Sequence, residues 1–141
     1  MRILGEAEWQ AFVSEGTRTG KVATTRADGR PHVAPVWFVL DGADLVFTTG
    51  KDTVKGRSLA ADPRVAICVD DERPPFSFVL IEGTATVSEE LGPLLDAATR
   101  LGARYMGADR AEEFGKRNAV PGELLIRVRP GKVIAKAGLS E

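Results

Sequence analysis

GKVATTRADGRPHVAPVWFVLDGADLVFTTGKDTVKGRSLAADPR, running from Gly20 to Arg64, decides the fold. Three apolar, β-branched segments are separated by Asp28-Gly29 and Asp41-Gly42, dipeptides whose glycine supplies the positive φ of a tight hairpin. The spacing predicts strands over Gly20–Arg26, His32–Leu40 and Asp44–Thr49, joined as a meander. Pro31 and Pro35 lack the N–H that a ladder needs on both sides, which keeps the second strand out of a fully paired central position. Asp52–Ala61 follows with Val54, Leu59 and Ala60 on one side and Asp62-Pro63 as a stop, which predicts a short helix.

The same patterns extend outward. Trp9, Phe12 and Val13 recur at helical spacing in Glu6–Glu15, and Gly16 ends that helix. Arg64–Asp70 and Phe76–Val87 read as strands around the stiff polar turn Asp71-Glu72-Arg73-Pro74-Pro75. Glu90–Tyr105 places Leu91, Leu94, Leu95, Ala98 and Leu101 on one face, an amphipathic helix. Asp109–Arg117 predicts a further helix. Glu123–Arg129 and Lys132–Ala137 read as closing strands with a turn at Pro130-Gly131. Residues 1–141 therefore predict one mainly β domain, an antiparallel barrel of six to seven strands flanked by three to four short helices.

Composition narrows the function. A net charge of −1 with 28% charged residues gives no global field for nucleic acid or an anionic membrane. Cys68 is the single cysteine, so no intramolecular disulfide forms, and its apolar strand predicts a small buried hydrophobe. With no basic-then-apolar leader and no membrane-length apolar run, a cytoplasmic location is expected. The single histidine, His32, and the absence of CxxC or HExxH argue against a metal site. His32 follows a turn and is expected at the surface or rim. There is no G-x-S-x-G elbow, P-loop or G-x-G-x-x-G. A chain this poor in reactive side chains needs a cofactor for any difficult chemistry.

The cations after the third strand are the remaining signal. Thr48, Thr49, Lys51, Lys55 and Arg57 lie within ten residues. If the helix begins at Asp52, its first turn offers free N–H groups beside the two threonines, and Lys51 and Lys55 share a face. Arg57 adds a planar fork for phosphate. Such residues suit an anionic ligand, and they equally suit a solvated helix face; the residues alone leave both open. Trp37 and Phe38, neighbours on a strand, point to opposite faces, while Phe76 and Phe78 share one.

GKVATTRADGRPHVAPVWFVLDG, FTTGKDTVKGRSLAADPRVAICVDD and FVLIEGTATV together resemble the split β-barrel flavin and deazaflavin oxidoreductases, relatives of pyridoxamine-phosphate oxidase. More specifically, they resemble the branch that uses coenzyme F420. The resemblance covers Gly20–Val87 in order and extends more weakly to Glu123–Val133. It implies a homodimer with cofactor grooves at the subunit interface. It assigns Thr48 and Thr49 as donors to the cofactor, Lys55 as the main phosphate cation, and Lys51 and Arg57 as supporting charges. Pro35, Val36, Trp37 and Phe38 match the strand along the ring system, and Phe76 and Phe78 match the segment brought in by the partner. The implied chemistry is hydride transfer from reduced F420 to an electron-poor or conjugated small molecule. An FMN-dependent oxidoreductase of the same fold and a non-catalytic deazaflavin-, flavin- or haem-binding protein are the alternatives. No catalytic side chain is assigned; Tyr105, Arg104 or a water stand as candidate proton donors.

Overall fold

Alternation of apolar and polar residues along the strands builds one curled antiparallel sheet. The computed structural model describes residues 1–141. In chain order its elements are β1 (Arg2–Ile3), α1 (Glu6–Ser14), β2 (Gly20–Thr25), β3 (Pro31–Val36), β4 (Val39–Asp41), β5 (Asp44–Gly50), α2 (Val54–Ala61), β6 (Arg64–Asp71), β7 (Ser77–Ser88), α3 (Leu91–Met106), α4 (Ala111–Asn118) and β8 (Glu123–Ala137). A single 3-10 turn, Ala108–Arg110, leads into α4. The strand order is β3-β2-β6-β7-β8-β5-β4, with β1 added on β8.

The expected strand His32–Leu40 is broken in two. β3 pairs with β2, whereas β4 pairs with β5, so the two strands lie at opposite edges of the sheet. Only Trp37 and Phe38 join them, and such a link spans about 10 Å at full extension. The edges must therefore meet at that corner, although no ladder bonds β3 to β4. The sheet curls into an eight-stranded barrel that is not closed. Pro31 and Pro35 sit on the edge strand, as their missing N–H groups require.

A second correction concerns Pro130-Gly131, which makes no turn. β8 runs unbroken for 15 residues. Glu82 faces Lys132 while Gly83 faces Pro130, so Gly131 is the extra residue of a bulge. A bulge bends a strand without ending it and tolerates a proline in the ladder. The break at Trp37-Phe38 and the short β1 raise the strand count above the six to seven expected.

The inner face holds the main core, including Val22, Leu45, Phe47, Ile67, Ile81 and Ile126. Trp9 and Val13 of α1 and Leu59 of α2 join it. A smaller core lies outside the sheet, where Leu94, Ala97 and Leu101 of α3 cover Val39, Val46 and Leu125. Leu91 and Leu95 were expected on this buried face but remain 52% and 43% exposed, because the apolar stripe of α3 is broader than the surface it covers. Cys68 also departs from expectation. Val65, Ile67 and Val69 take the inward positions of β6, which leaves Cys68 half-buried on the outer face. No helix is long and apolar enough to cross a membrane.

Candidate functional site

The cations sit where β5 passes into α2. The helix begins at Val54 rather than Asp52 because Thr53 caps it: its Oγ accepts from the Gly56 N–H at 3.0 Å and donates to the Gly50 carbonyl at 2.7 Å. Gly56 lets the helix lie directly on the preceding turn, since a Cβ there would strike the Gly50 carbonyl oxygen. The Thr49 hydroxyl is buried inside this arrangement, 3.0 Å from Thr53 Oγ. Lys51 is in the exposed turn, its N–H donating to the Gly122 carbonyl at 2.9 Å, so it does not share a helical face with Lys55.

Alternation along β5 sends Thr48 to the face opposite Thr49. There it meets Glu123, the first residue of β8. Burial pushes the Glu123 carboxyl above its ordinary value, against the opposing pull of the Thr48 hydroxyl and the Lys55 ammonium. Thr48, Lys55 and Glu123 thus form one polar group on one side of α2. Arg57 belongs to the other side. Two residues along a helix is a rotation of about 200°, and Arg57 lines a cleft with Arg26, Asp28, Arg30, Val54 and Ser58. The structure therefore divides the cations that the sequence places together. Arg2, Arg18, Arg30, Arg64, Arg73, Arg110 and Arg127 each hold a carboxylate, whereas Lys51, Lys55, Arg57 and Arg26 hold none.

The ring-strand candidates separate by face. Pro35 is exposed on the outer face, and Val36 is in the core. Trp37 stacks on Tyr105 with centroids 5.0 Å apart and planes within 4°, and it touches Phe114 at 6.0 Å. Phe38 is fully buried, with the Arg104 guanidinium 4.6 Å above its ring. It can offer a ligand no side-chain contact, and its backbone groups are also taken. Tyr105 Oη accepts from the Phe38 N–H at 3.1 Å and donates to the Arg18 carbonyl at 2.7 Å. Arg104 donates to the carbonyls of Phe38, Val13 and Gly16 at 2.6, 2.7 and 2.9 Å. Burial pushes the Tyr105 phenol up and the Arg104 guanidinium down from their ordinary values. Both candidate proton donors are thus engaged in holding the corner between β3 and β4.

Phe76 precedes β7 with φ of 62°, a left-handed conformation, so it does not share a strand face with Phe78 as expected. It is 39% exposed. Phe78 lies half-buried on the outer face between Asp70 and Lys136. His32 is not a simple rim residue: its Nδ1 is buried without a partner, as is the Oγ of Thr24, its cross-strand neighbour.

The pyridoxamine 5'-phosphate oxidase family model matches residues 6–137. The chain belongs to that family. A conserved hypothetical protein of Mycobacterium tuberculosis is similar in structure, with a TM-score of 0.87 at 25% identity over 97% of this chain and 87% of the other. An F420 reductase is 28% identical with a TM-score of 0.68, over 87% of this chain and 94% of that one. The haem storage protein of Vibrio cholerae shares the fold, at 21% identity and a TM-score of 0.75 over the whole of both chains.

Within this family member, three site features escaped sequence reading. Thr53 was legible as a cap, since Asp52-Thr53 precedes an apolar residue at a helix start. Glu123 was not, because only the β5–β8 register, with Gly50 opposite Glu123, brings it to Thr48. Arg26 was missed for the same reason: its meeting with Arg57 depends on where α2 packs.

Proposed function

We propose that this protein is an F420-dependent oxidoreductase that transfers a hydride from reduced deazaflavin to an electron-poor or conjugated small molecule. The observation that carries the reading is the open group of Thr48, Lys51 and Lys55 at the mouth of α2, whose two ammonium groups make no direct ion pair, although Glu123 lies near Lys55. Lys55 supplies the principal charge for the cofactor's phosphate, Thr48 a hydroxyl, and Lys51 a supporting cation. The 28% identical F420 reductase points to the same cofactor. When bound, reduced deazaflavin supplies the hydride, and solvent supplies the proton that completes reduction. The chain's own part is to bind, orient and shield. Arg104 and Tyr105 fix the backbone between Pro35 and Phe38, so the corner beside the ring is rigid before the cofactor arrives.

The working unit in this reading is a homodimer. The outer face of β2, β3, β6, β7 and β8 aligns Pro35, Lys21, Cys68, Leu80 and Ile134 across one row. Val33, 66% exposed, lies in the next row with Ala23 and Ala66. A second copy seated there covers these apolar positions and adds its own Phe76 or Phe78 to the groove.

Parallel fluorescence titrations with F420 and FMN test the reading. F420 is expected to bind, and Lys55→Ala to weaken it by about 10- to 100-fold, the loss of one charge-assisted phosphate contact. Unchanged affinity in that variant removes the phosphate assignment. Protein that purifies with FMN and ignores F420 moves the reading to the flavin enzyme. Binding without oxidation of the reduced cofactor by enones, quinones or nitro compounds moves it to a carrier.

A further inference from the structure

The turn between β6 and β7 carries a strain that its own residues do not repay. Phe76 is the one non-glycine residue with positive φ, at 62°. In that region the Cβ crowds the backbone, a cost that glycine escapes and an aromatic residue does not. Of the six phenylalanines it is also the one that stays exposed, at 39%. The fold therefore holds its least covered phenylalanine in an unfavourable backbone conformation, a combination that points to a contact outside the chain's own core.

Two sets of bonds hold Phe76 there. Within the turn, its N–H donates to the Arg73 carbonyl at 2.8 Å, and Asp71 anchors Arg73 by accepting from its N–H at 2.9 Å and its Nε at 3.1 Å. The second set comes from the chain beyond β8. The Leu139 N–H donates to the Phe76 carbonyl at 3.0 Å, and Ser140 donates to the Pro75 carbonyl through its N–H at 3.0 Å and its hydroxyl at 3.3 Å. A continued β7–β8 ladder would set Gly138 opposite Phe76, since Phe78 faces Lys136. Gly138 is instead buried and left-handed at 64°, and the Glu141 N–H closes a turn onto its carbonyl at 3.1 Å. That turn is what brings Leu139 and Ser140 onto the two carbonyls. Two main-chain hydrogen bonds are of the same order as the strain of one left-handed residue.

We propose that Gly138–Glu141 is a strap that holds Phe76 as a preformed aromatic contact for the bound cofactor. This rests on the deazaflavin reading, in which a second copy seats its Phe76 in the groove. Leu139 and Ser140 touch no ligand in this arrangement; they are positioning residues that act through Phe76. A ring ordered in advance spares the complex the cost of ordering it on binding. The coupling is reciprocal, so a cofactor held by the ring also holds the strap.

Fluorescence titration with F420 tests the strap in the parent, Phe76→Gly, Leu139→Pro and the double variant. Phe76→Gly accepts the left-handed turn and loses only the ring; it should weaken F420 by about five- to tenfold, the worth of one aromatic contact. Leu139→Pro removes the donor to the Phe76 carbonyl and should weaken F420 by a similar factor. The double variant should bind no worse than Phe76→Gly alone, because the strap acts only through the ring. Leu139→Pro combined with Lys55→Ala should show both losses multiplied. In the parent, hydrogen exchange at the Leu139 and Ser140 amides should slow when F420 saturates the protein, a measurement that needs no variant to fold. Losses that multiply in the Phe76→Gly, Leu139→Pro protein, or exchange at those amides that ignores F420, overturn the strap and leave the F420 reading standing. A parent protein that does not bind F420 overturns both.

Discussion

Replacing Arg104 with alanine should unfold the corner that joins the two edges of the sheet. Its guanidinium donates to four carbonyls, those of Phe38 at 2.6 Å, Val13 at 2.7 Å, Gly16 at 2.9 Å and, weakly, Arg18 at 3.5 Å. Gly16 is exposed, so its carbonyl turns to water at little cost. Val13 and Phe38 are fully buried residues, and their carbonyls lose a charged donor. Each such loss costs about 1.5–3 kcal/mol, less whatever water enters the space left behind. The half-buried guanidinium also returns to bulk solvent in the unfolded chain, which offsets part of the gain it gives. A net loss of about 3–4 kcal/mol follows. For a domain of this size that lowers Tm by roughly 10 °C or more.

Arg100 supplies the internal control. It lies one turn earlier on α3, is exposed, and donates to a single carbonyl, that of Leu40 at 2.7 Å. Arg100→Ala should cost under about 1 kcal/mol. Thermal and denaturant unfolding, followed by circular dichroism, measures both. Tyr105→Phe keeps the stack on Trp37 but removes the bonds to Phe38 and Arg18, and its effect should not add fully to that of Arg104→Ala because both residues hold the same carbonyls. An Arg104→Ala protein within about 1 kcal/mol of Arg100→Ala would refute the idea that Arg104 pins the corner.

Two further outcomes follow from individual groups. Glu123 has its folded carboxyl raised above the ordinary value by burial. Its contribution to stability is therefore full below the ordinary carboxylate pKa and is lost as pH rises through the raised value; Glu123→Gln should be more stable than the parent at neutral pH and level with it near pH 4, in chemical unfolding at both. The chain has one tyrosine, so phenolate absorbance reads Tyr105 alone. Its midpoint should lie above the ordinary 10.0 in folded protein, return to it in denaturant, and mark a loss of stability as pH rises through the folded value; a folded midpoint at or below the ordinary value would count against a buried, hydrogen-bonded phenol.

The sequence carries most of the sheet and little of what holds it open. Asp28-Gly29 and Asp41-Gly42 mark hairpins because positive φ is a local demand, and Gly29 and Gly42 meet it at 87° and 61°. The helices α1 and α3 follow from periodicity. Trp37-Phe38 defeats local reading. Both residues have strand propensity, and what breaks the strand is Arg104 and Tyr105, more than 60 residues away, taking the Phe38 backbone. Pro130-Gly131 misleads in the opposite sense. Those residues form turns when a chain is free to reverse, but β7 pairs along the whole of β8 and makes a bulge the better solution. At the site, the residue types at Thr48 to Arg57 announce an affinity for anions. Their division between two sides of α2 depends on a start fixed by Thr53 rather than Asp52, a difference of one capping residue.

That division bears on why the barrel is left unclosed. A closed sheet satisfies every strand edge internally and leaves no slot for a planar ligand. Here β3 and β4 meet only through Trp37 and Phe38, and the prolines at 31 and 35 blunt β3 against accidental strand pairing. Arg104 and Tyr105 bind the Phe38 backbone that an open corner would otherwise leave without partners. The seam is thus stable without being sealed. Under the proposed reading, a ring lies along the seam and a phosphate reaches Lys55. Ring and phosphate meet different elements, so changing the partners of either should weaken binding separately. A Pro35→Arg substitution tests the seam from its outer side: it places a second cation opposite Lys21 on the face that the proposed second copy covers, so it should weaken self-association. Sedimentation equilibrium reads that loss, and F420 affinity should fall with it. Self-association and cofactor affinity both unchanged in Pro35→Arg would refute the seating of a second copy on that face.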